Sequence, residues 1–519
     1  GEYFGSVTIR IYLLVVLFLF SVPFAAYCLA EIGALVAVAT AGELPSSLVI
    51  WMVAFFLFLH SVIGGWRGVV YVAAVQGFLV LTLMVFAGGF ASAAFDSLAF
   101  FTKGIAVPEA VLADRIPGVV QFTRGIGKEV PPGGIWTTVA ILSVALSMIG
   151  IVLSPGFGFL GITTHTRRGF AFGQVWMTAG LAAGVLLLVG PLLAAELAGP
   201  STGSGVFGAL AARFDSFDQL AGVAFLMLLI ASLQIGVGFF AASGASVATV
   251  ELVERYMLPD LTEAGRKLAA RIMLASIFFC IALAATFTPL SAAVFSSLAL
   301  ALSAQMLPAF LGLCWLPWIS RSGVLAGLVA GTILVVFTEP FGLIAFERLF
   351  VDLPWGRWPL TIHSAGWGLF FNVAACLLVS LFTRGGEERD RRQRLHEIFA
   401  ASHPAHFGSR PARSAKWSLA LIWGFLAIGP GAILGNTFFS QPVFTTGDVT
   451  LGLPSLLIWQ IVFWFIGVLL AWWLAYHARM SVIEDVPRQT LSFAPPGQKL
   501  LMPQRPPWIE RLLGRLAER

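Results

Sequence analysis

Long apolar runs recur along almost the whole chain and constrain its fold more than any other feature. A transmembrane helix needs about 20 consecutive apolar residues, and the 519-residue sequence supplies such runs repeatedly. Hydrophobic residues make up 58% of the chain and charged residues only 11%, so no segment between the runs can form a sizeable soluble core. The sequence therefore predicts an all-α polytopic membrane protein.

We predict twelve spans, with both termini on the cytoplasmic side. The orientation follows from the excess of Lys and Arg in alternate loops, and the expected location is a bacterial-type cytoplasmic (inner) membrane. The predicted spans are residues 11–38, 45–63, 69–91, 135–164, 171–196, 218–253, 268–289, 291–316, 320–343, 363–383, 417–437 and 454–478.

Four regions follow from this pattern. Residues 1–383 form a transmembrane core, 384–416 a basic cytoplasmic linker, 417–478 two additional transmembrane helices and 479–519 a cytoplasmic tail. The linker has a helical middle, and it either docks a partner or anionic lipid headgroups or stays solvated. We favour the solvated linker.

One predicted span is interrupted. The apolar run from Trp136 meets Ser154-Pro155-Gly156-Phe157-Gly158 before it turns basic. Proline removes a backbone donor and glycine frees the backbone, so this stretch favours unwinding. An unwound backbone survives in a membrane only where it is buried in protein or lines a wet cavity. The stretch predicts a discontinuous helix at a solute site, with an ordinary proline kink as the alternative.

Few polar side chains interrupt the predicted spans. A charged side chain in hydrocarbon costs at least about 2.5–3.5 kcal/mol, so Glu31 in the first span either binds a cation, proton or solute, or lies at the outer interface. Neutral hydrogen-bonding side chains such as Gln234 favour helix–helix adhesion over a binding role.

The sequence predicts no catalytic residue, metal site or cofactor, because it contains no Walker-type loop, HExxH motif or paired cysteines. Its basic balance is typical of cytoplasmic loops, and we expect no nucleic-acid partner.

Three segments of the chain carry a family resemblance. GGWRGVVYVAAVQ at Gly64–Gln76 is similar to a Gly-Gly turn of the sodium:solute symporter family, which opens a helix whose motif ends in Gln. SAQMLPAFLGLCWLPWISRSGVLAGLVAG at Ser303–Gly331 is similar to its tenth core helix, the turn after it and the next helix. Phe4-Gly5, followed by Pro23, Tyr27 and Gly33, is similar to the residues that open the family's third core helix.

The resemblance implies the inverted-repeat fold of leucine-type transporters. The first span then corresponds to the third core helix, 136–164 to the discontinuous sixth, 218–253 to the eighth and 291–316 to the tenth. The family's first core helices have no counterpart here, so the core is incomplete and we expect a lost N-terminal segment or a separate chain to supply them. The two spans in 417–478 are additional.

The resemblance also implies positions for a coupling cation. In the family, adjacent hydroxyl residues of the eighth core helix bind sodium, and the aligned positions here are Gly238 and Phe239. The family's Thr-Asp after the Gly-Gly turn corresponds to Val72-Ala73. The resemblance implies sodium as the coupling cation, but both positions lack the oxygen ligands that sodium needs. Sodium and the proton therefore both stay open as the coupling cation.

Two functions remain open. In the first, the chain is a secondary active transporter that moves a small organic solute by alternating access. Its solute site would combine Ser154–Gly158 with Tyr27, Glu31 and Gln234, and Gly238, Phe239 and Ala73 would mark the lost cation sites.

In the second function, the chain is a non-transporting scaffold or sensor subunit of a larger membrane complex. A looser resemblance to the symporter-like domain of bacterial sensor histidine kinases fits the second function, although the sequence contains no kinase domain. Expected partners are a small-molecule solute and membrane lipid, and a membrane complex in the second case.

Overall fold

The computed structural model is almost entirely helical over the residues that it describes. Its strands are two pairs of residues, Thr445–Thr446 and Val449–Thr450. The described residues are 3–93, 136–163, 173–181, 183–185, 188, 215, 219–258, 261–349, 355–383, 387–402, 410–439, 445–446, 449–450 and 455–478. Residues 94–134 of the predicted external loop, the tail 479–519 and half of the predicted span 171–196 lie outside these residues.

Seventeen α-helices are bounded in the described residues, with three π-helical and two 3₁₀ segments between them. The α-helices are α1 Val7–Leu19, α2 Ala25–Ala39, α3 Ser46–Ala93, α4 Thr138–Ser147, α5 Ile149–Leu153, α6 Pro155–Thr163, α7 Gln219–Ala248, α8 Glu263–Phe287, α9 Pro289–Ala304, α10 Leu307–Cys314, α11 Arg321–Thr338, α12 Pro340–Leu349, α13 Ser364–Phe382, α14 Glu387–Ser402, α15 Arg410–Ala427, α16 Gly435–Phe438 and α17 Ser455–Trp472. The π-helical segments are Phe20–Phe24, Thr249–Met257 and Trp473–His477, and the 3₁₀ segments are Pro359–Thr361 and Pro430–Leu434.

Eight helices of the described part are long and apolar enough to cross a membrane, or up to ten when each of two bent helix pairs counts as one span. The chain is therefore a multi-pass membrane protein by helix length and composition. The predicted count of twelve is not confirmed. Two differences account for the lower count. The predicted spans 45–63 and 69–91 fall in one helical assignment, Ser46–Gly89, and half of 171–196 lies outside the described residues.

The long helix α3 contains a sharp turn at Gly65. A continuous helix of 48 residues would be about 72 Å long, more than twice the thickness of a bilayer core. Gly65 has φ 56° and ψ −161°, which is outside the helical region and favours glycine. A Cβ atom on Gly68 would lie only 3.7 Å from the carbonyl oxygen of His60, eight residues earlier, a separation that an unbroken helix does not allow. The predicted Gly64-Gly65 turn is present.

The first span pairs with α7 and with the π-helical segment Thr249–Met257 that follows it. The contacts run from the ion pair of Arg10 with Glu251 (3.5 Å) at one end to Cys28, whose Sγ lies 3.6 Å from where a Cβ on Gly236 would sit. Small residues allow this approach, as is usual between membrane helices. Between these ends the span widens into the π-helical turn Phe20–Phe24 around Pro23, which cannot donate the regular helical hydrogen bond.

A second group of helices crosses at a buried amide pair. Asn372 on α13 donates through Nδ2 to the backbone oxygen of Gln305 (2.6 Å) and to its side-chain oxygen (3.2 Å). A Cβ on Gly331 of α11 or Gly368 of α13 would crowd the same Gln305 side chain. The glycines therefore let α11 and α13 close around the buried amide pair. Its Asn372 Nδ2 and both oxygens of Gln305 are hydrogen-bonded, whereas Asn372 Oδ1 has no partner among the described residues.

The basic segment after α13 is more than a solvated linker. Its predicted helical middle is α14, and Tyr3 near the N-terminus binds it through a 2.9 Å contact with His396 Nε2. Burial raises the pKa of Tyr3 to about 12, so the hydroxyl stays protonated and donates to the carbonyl of Gly312 (3.0 Å). Arg392 is 2% exposed, lies over the Phe4 ring and donates to the carbonyl of Pro317 (3.4 Å). For this part of the segment the expectation of a solvated linker is wrong, because the Arg392 side chain is buried against the rest of the protein.

Replacing Arg392 with leucine is expected to loosen α14. The change removes a buried charged donor, whose hydrogen bonds contribute about 1.5–3 kcal/mol. Backbone amides of 387–402 should then exchange with deuterium at least about tenfold faster, because local opening becomes easier. Arg394→Leu is the matched control, since Arg394 is exposed and, among the described residues, donates to the carbonyl of Asp390 within its own helix. Equal exchange in both variants would contradict this docking.

The two additional C-terminal helices pack mainly on each other. Trp423 of α15 donates to the carbonyl of Phe463 (2.8 Å), and Trp459 of α17 donates to that of Leu426 (2.8 Å). The first helix of the pair is bent by 44° before 430–438. These indole bonds fix the pair as a unit with wide apolar faces left exposed.

Candidate functional site at the broken helix

The helix break lies at Ser154. Its ψ of 146° is extended, and the helical parts on either side, Thr138–Leu153 and Pro155–Gly161, meet at 55°. Pro155 takes the first position of α6, where its missing N–H costs nothing. The Ser154 hydroxyl accepts from the backbone N–H of Phe157 (3.3 Å), which caps the new helix. The break is narrower than predicted, because Pro155 to Gly158 are helical and only Ser154 is extended.

The break frees a carbonyl, which a neighbouring helix uses. The N–H of Ser154 bonds to the carbonyl of Ile151 (3.2 Å) rather than to that of Gly150, four residues earlier. The Ser303 hydroxyl on α9 donates to the freed Gly150 carbonyl (2.7 Å). A Cβ on Gly150 would overlap the carbonyl oxygen of Leu300. The first half of the broken helix is therefore held by the backbone of α9 at a distance that only glycine allows.

The second half of the broken helix packs against α7. A Cβ on Gly156 would lie 2.6 Å from the hydroxyl of Ser243 and 3.4 Å from the Phe240 ring. The Ser243 hydroxyl donates to the carbonyl of Phe239 (2.7 Å), so it stays on this face. Gly158 lies on the other side, where a Cβ would meet no atom of the described residues within 4 Å.

The π-helical turn of the first span completes the junction. Phe20 stacks on Phe240 with ring centroids 4.8 Å apart, and Phe24 meets the same ring edge-on at 5.2 Å. A Cβ on Gly244 would overlap the hydroxyl of Ser21. The break in one helix, the wide turn of a second and the small residues of a third thus meet at one place.

Trp66 supports α6 from the turn in α3. Its indole donates to the Thr163 hydroxyl (3.0 Å), and its ring meets Phe159 at 4.9 Å and Phe239 at 5.7 Å. Because Trp66 directly follows Gly65, the turn in α3 sets the position of the second half of the broken helix.

The side chains that meet at the break are neutral. They are the hydroxyls of Ser21, Ser154, Ser243 and Ser303 and the aromatic rings around them. Within the described residues no three His, Cys, Asp or Glu side chains cluster as metal ligands. Such a site offers backbone and hydroxyl hydrogen bonds beside an aromatic wall, which suits a small solute without a strong net charge.

Three of the predicted solute residues lie away from the break. The pairing of Phe24 with Phe240 and of Cys28 with Gly236 puts Tyr27 and Glu31 one to two turns further along α2, or about 5–10 Å. Gln234 lies about 9 Å from Phe240 along α7, where its side-chain oxygen accepts from Gln76 (2.8 Å). This bond gives Gln234 the helix-adhesion role that the sequence favoured.

The predicted cation positions are only partly at the junction. Phe239 belongs to the aromatic wall, whereas Gly238 is buried with open space beside its Cα hydrogen. Ala73 is partly buried on α3, one turn before Gln76. The hydroxyl that reaches the break is Ser243, four residues after Phe239.

Sequence reasoning missed Ser21, Ser243 and Ser303 as parts of the site. One signal was available: residues 241–246 read AASGAS, and such a run of small residues predicts close helix contact in a membrane. No protein-family model matches the chain, and no curated protein sequence matches it significantly. The resemblance to sodium:solute symporters stays a prediction.

Proposed function

We propose that the chain is a secondary active transporter that moves a small organic solute by alternating access. The observation that carries this proposal is the helix broken at Ser154, with its two halves held by different helices. The first half bonds to α9 and the second packs on α7, so the halves can move separately about one extended residue. Broken helices at such crossings form solute sites in secondary transporters.

The proposed coupling ion is the proton. A sodium site needs several oxygen ligands, and the positions that the resemblance assigns to it carry Gly238, Phe239 and Ala73. Ser243 brings one hydroxyl to the junction, but Gly244 follows it, so the adjacent hydroxyl pair is missing.

The test is solute uptake into proteoliposomes under sodium and proton gradients imposed separately. The panel consists of small carboxylates, amino acids and sugars. Uptake that follows the proton gradient supports the proposal in full. Uptake that follows sodium keeps the transporter and refutes proton coupling. No uptake of any solute by folded protein would refute transport.

The alternative, a scaffold or sensor subunit, is favoured by one observation. The paired helices α15 and α17 leave large apolar side chains such as Leu421, Phe425 and Leu469 exposed. A partner subunit could cover this face, and so could lipid. Copurification of a second membrane protein at fixed stoichiometry, lost on replacing these side chains with serine, would support the alternative.

A further inference from the structure

A second polar cluster lies at the C-terminal end of α11, around Glu339. Pro340 disfavours a helical conformation at Glu339, which is extended at ψ 150° and separates α11 from α12. The Glu339 side chain is 0% exposed. The Ser297 hydroxyl donates to its Oε2 (3.0 Å), whereas Oε1 is buried without a hydrogen-bond partner among the described residues.

Other polar atoms beside Glu339 are also left without partners. The indole nitrogen of Trp358 and the hydroxyl of Ser364 are buried and have no hydrogen bond in the described part of the protein. Both side chains lie close enough to the Glu339 carboxyl to stabilise its charged form, although neither meets it with hydrogen-bond geometry. An indole N–H can only donate, so a metal cation at this point would face a donor as well as the carboxylate. The group of atoms suits a proton or a water molecule better than a metal ion.

His363 is held in one tautomer beside the carboxyl. Its Nδ1 accepts from the backbone N–H of Ala365 (3.1 Å), where it caps α13, so Nδ1 carries no proton. The proton of the neutral ring is therefore on Nε2, which lies 4.0 Å from Oε1 of Glu339. A second proton on Nδ1 would break the cap, and burial lowers the pKa of His363 to about 4. The cap therefore leaves the Glu339 carboxyl as the member of the pair that can take a proton without losing a hydrogen bond.

The charges that face this pair are few. Arg357 lies over the Trp358 ring at 4.4 Å and acts on both Glu339 and His363. The described side chains that reach the pair from α9, α13 and α4 are the neutral Ser297, Ser364 and Ser143. Burial, the largest cause, raises the pKa of the Glu339 carboxyl, and the hydroxyls, the indole and Arg357 only partly offset it.

The cluster is tied directly to the first half of the broken helix. The backbone N–H of His363 donates to the Ser143 hydroxyl on α4 (2.9 Å). The Thr361 hydroxyl bonds to that of Thr137 (2.6 Å), which caps α4. Between Arg357 and His363 the backbone has positive φ at Trp358, Leu360 and Thr361, a strained conformation for residues other than glycine. The loop that carries His363 thus holds the start of the broken helix while it is itself under strain.

We propose that Glu339 is a proton-binding site, which takes one proton on Oε1 from water and returns it, with His363 fixed as a neutral neighbour. A hydronium ion from the aqueous phase supplies this proton: its O–H bond breaks as the Oε1–H bond forms on a carboxylate lone pair, and a water molecule leaves. Protonation turns the unpartnered acceptor into a donor that faces the His363 loop, and this loop bonds to α4. The occupancy of the proton site therefore acts on the broken helix through Ser143 and Thr361. The proton site does not depend on the proposed function; only its effect on solute uptake does.

The test is infrared difference spectroscopy of the purified protein in lipid, perfused between about pH 5 and pH 9. Wild-type protein should lose a protonated-carboxyl C=O band as the pH rises, and Glu339→Gln should lack this band at every pH. Glu347→Gln is the matched control, since Glu347 is an exposed carboxyl of the neighbouring α12 and its replacement should leave the band in place. A band that is unchanged in Glu339→Gln would overturn the proposal.

Ser297→Ala is the second variant, which keeps the test decisive if Glu339→Gln does not fold. Ser297 donates to the carboxylate form, so its loss should destabilise that form and raise the midpoint of the band by about half to one pH unit. An unchanged or lower midpoint would overturn the proposal. Solute uptake is measured separately, so a proton site without uptake refutes the proposed function and leaves the site intact.

Discussion

Leucine at position 156 is expected to lower solute uptake more than tenfold, to about the background of empty liposomes. The side chain would start 2.6 Å from the Ser243 hydroxyl and push against the Phe240 ring, where α6 and α7 meet. Overpacking of this kind costs about 1–3 kcal/mol, and each 1.4 kcal/mol placed on one conformation changes a rate about tenfold. The measurement is initial uptake of the transported solute into proteoliposomes at equal protein density.

Gly161→Leu is the control for this change. Gly161 lies on the same helix α6, and a Cβ there meets no described atom within 4 Å. Both substitutions add the same side chain to a helical glycine, so differences in helix propensity cancel. If both variants keep wild-type uptake, the contact between α6 and α7 has no role in transport.

Alanine at position 150 is expected to cause a large loss of stability for the addition of a single methyl group. The new Cβ would overlap the Leu300 carbonyl oxygen and lie 3.1 Å from the Leu300 carbonyl carbon and 3.3 Å from the Ala304 nitrogen. All three are backbone atoms, so no side-chain rotation can relieve the contact. The helices must separate, which also weakens the bond from Ser303 to the freed Gly150 carbonyl. We expect a cost of about 1–3 kcal/mol.

The measurement is the apparent unfolding temperature in detergent at a fixed scan rate, because membrane proteins often unfold irreversibly. Gly161→Ala is again the matched control: it should be neutral or slightly stabilising, since alanine favours a helix by about 1 kcal/mol over glycine. An unfolding temperature for Gly150→Ala at or above that of Gly161→Ala would show that α5 and α9 are not in this close contact.

The features that local chemistry fixes could be predicted from the sequence. Apolar length located the membrane helices, Pro155 located the break, and Gly64-Gly65 located the turn in α3. Each depends on a property of one or two residues: the missing donor of proline, the free backbone of glycine, or the length of an apolar run. The exact width of the break does not follow, because the N-cap bond from Phe157 to Ser154 lets the helix resume at once.

The features that depend on tertiary contacts could not be predicted in the same way. The register between α6 and α7 decides that Ser243, and not Gly238, reaches the break. A shift of this register by one turn is invisible in an apolar pattern. The docking of α14 depends on Tyr3 and Gly312, which are far from it in sequence. From the sequence alone, a basic segment without a recognisable partner is predicted to be solvated.

Glu339 is a different case, because a signal was present. It lies within the predicted span 320–343 and directly precedes Pro340, so an acid was placed at a predicted helix end in an apolar run. The pattern could not reveal its partners: Ser297 is 42 residues away and His363 begins the next span.

The central claim, that the broken helix opens to water during alternating access, is tested most directly by cysteine labelling at Ser154. Ser154 is 1% exposed here, so a static protein would shield a cysteine at this position. The four native cysteines are replaced with alanine, and Ser154→Cys is compared with Ser380→Cys, which lies buried between α11 and α13. Both are treated in liposomes with a small water-soluble thiol reagent. An open state populated at about 0.1–10% would let Ser154→Cys react at least about tenfold faster than Ser380→Cys, as a transporter requires. Equal, negligible rates at both positions would contradict alternating access and favour the scaffold.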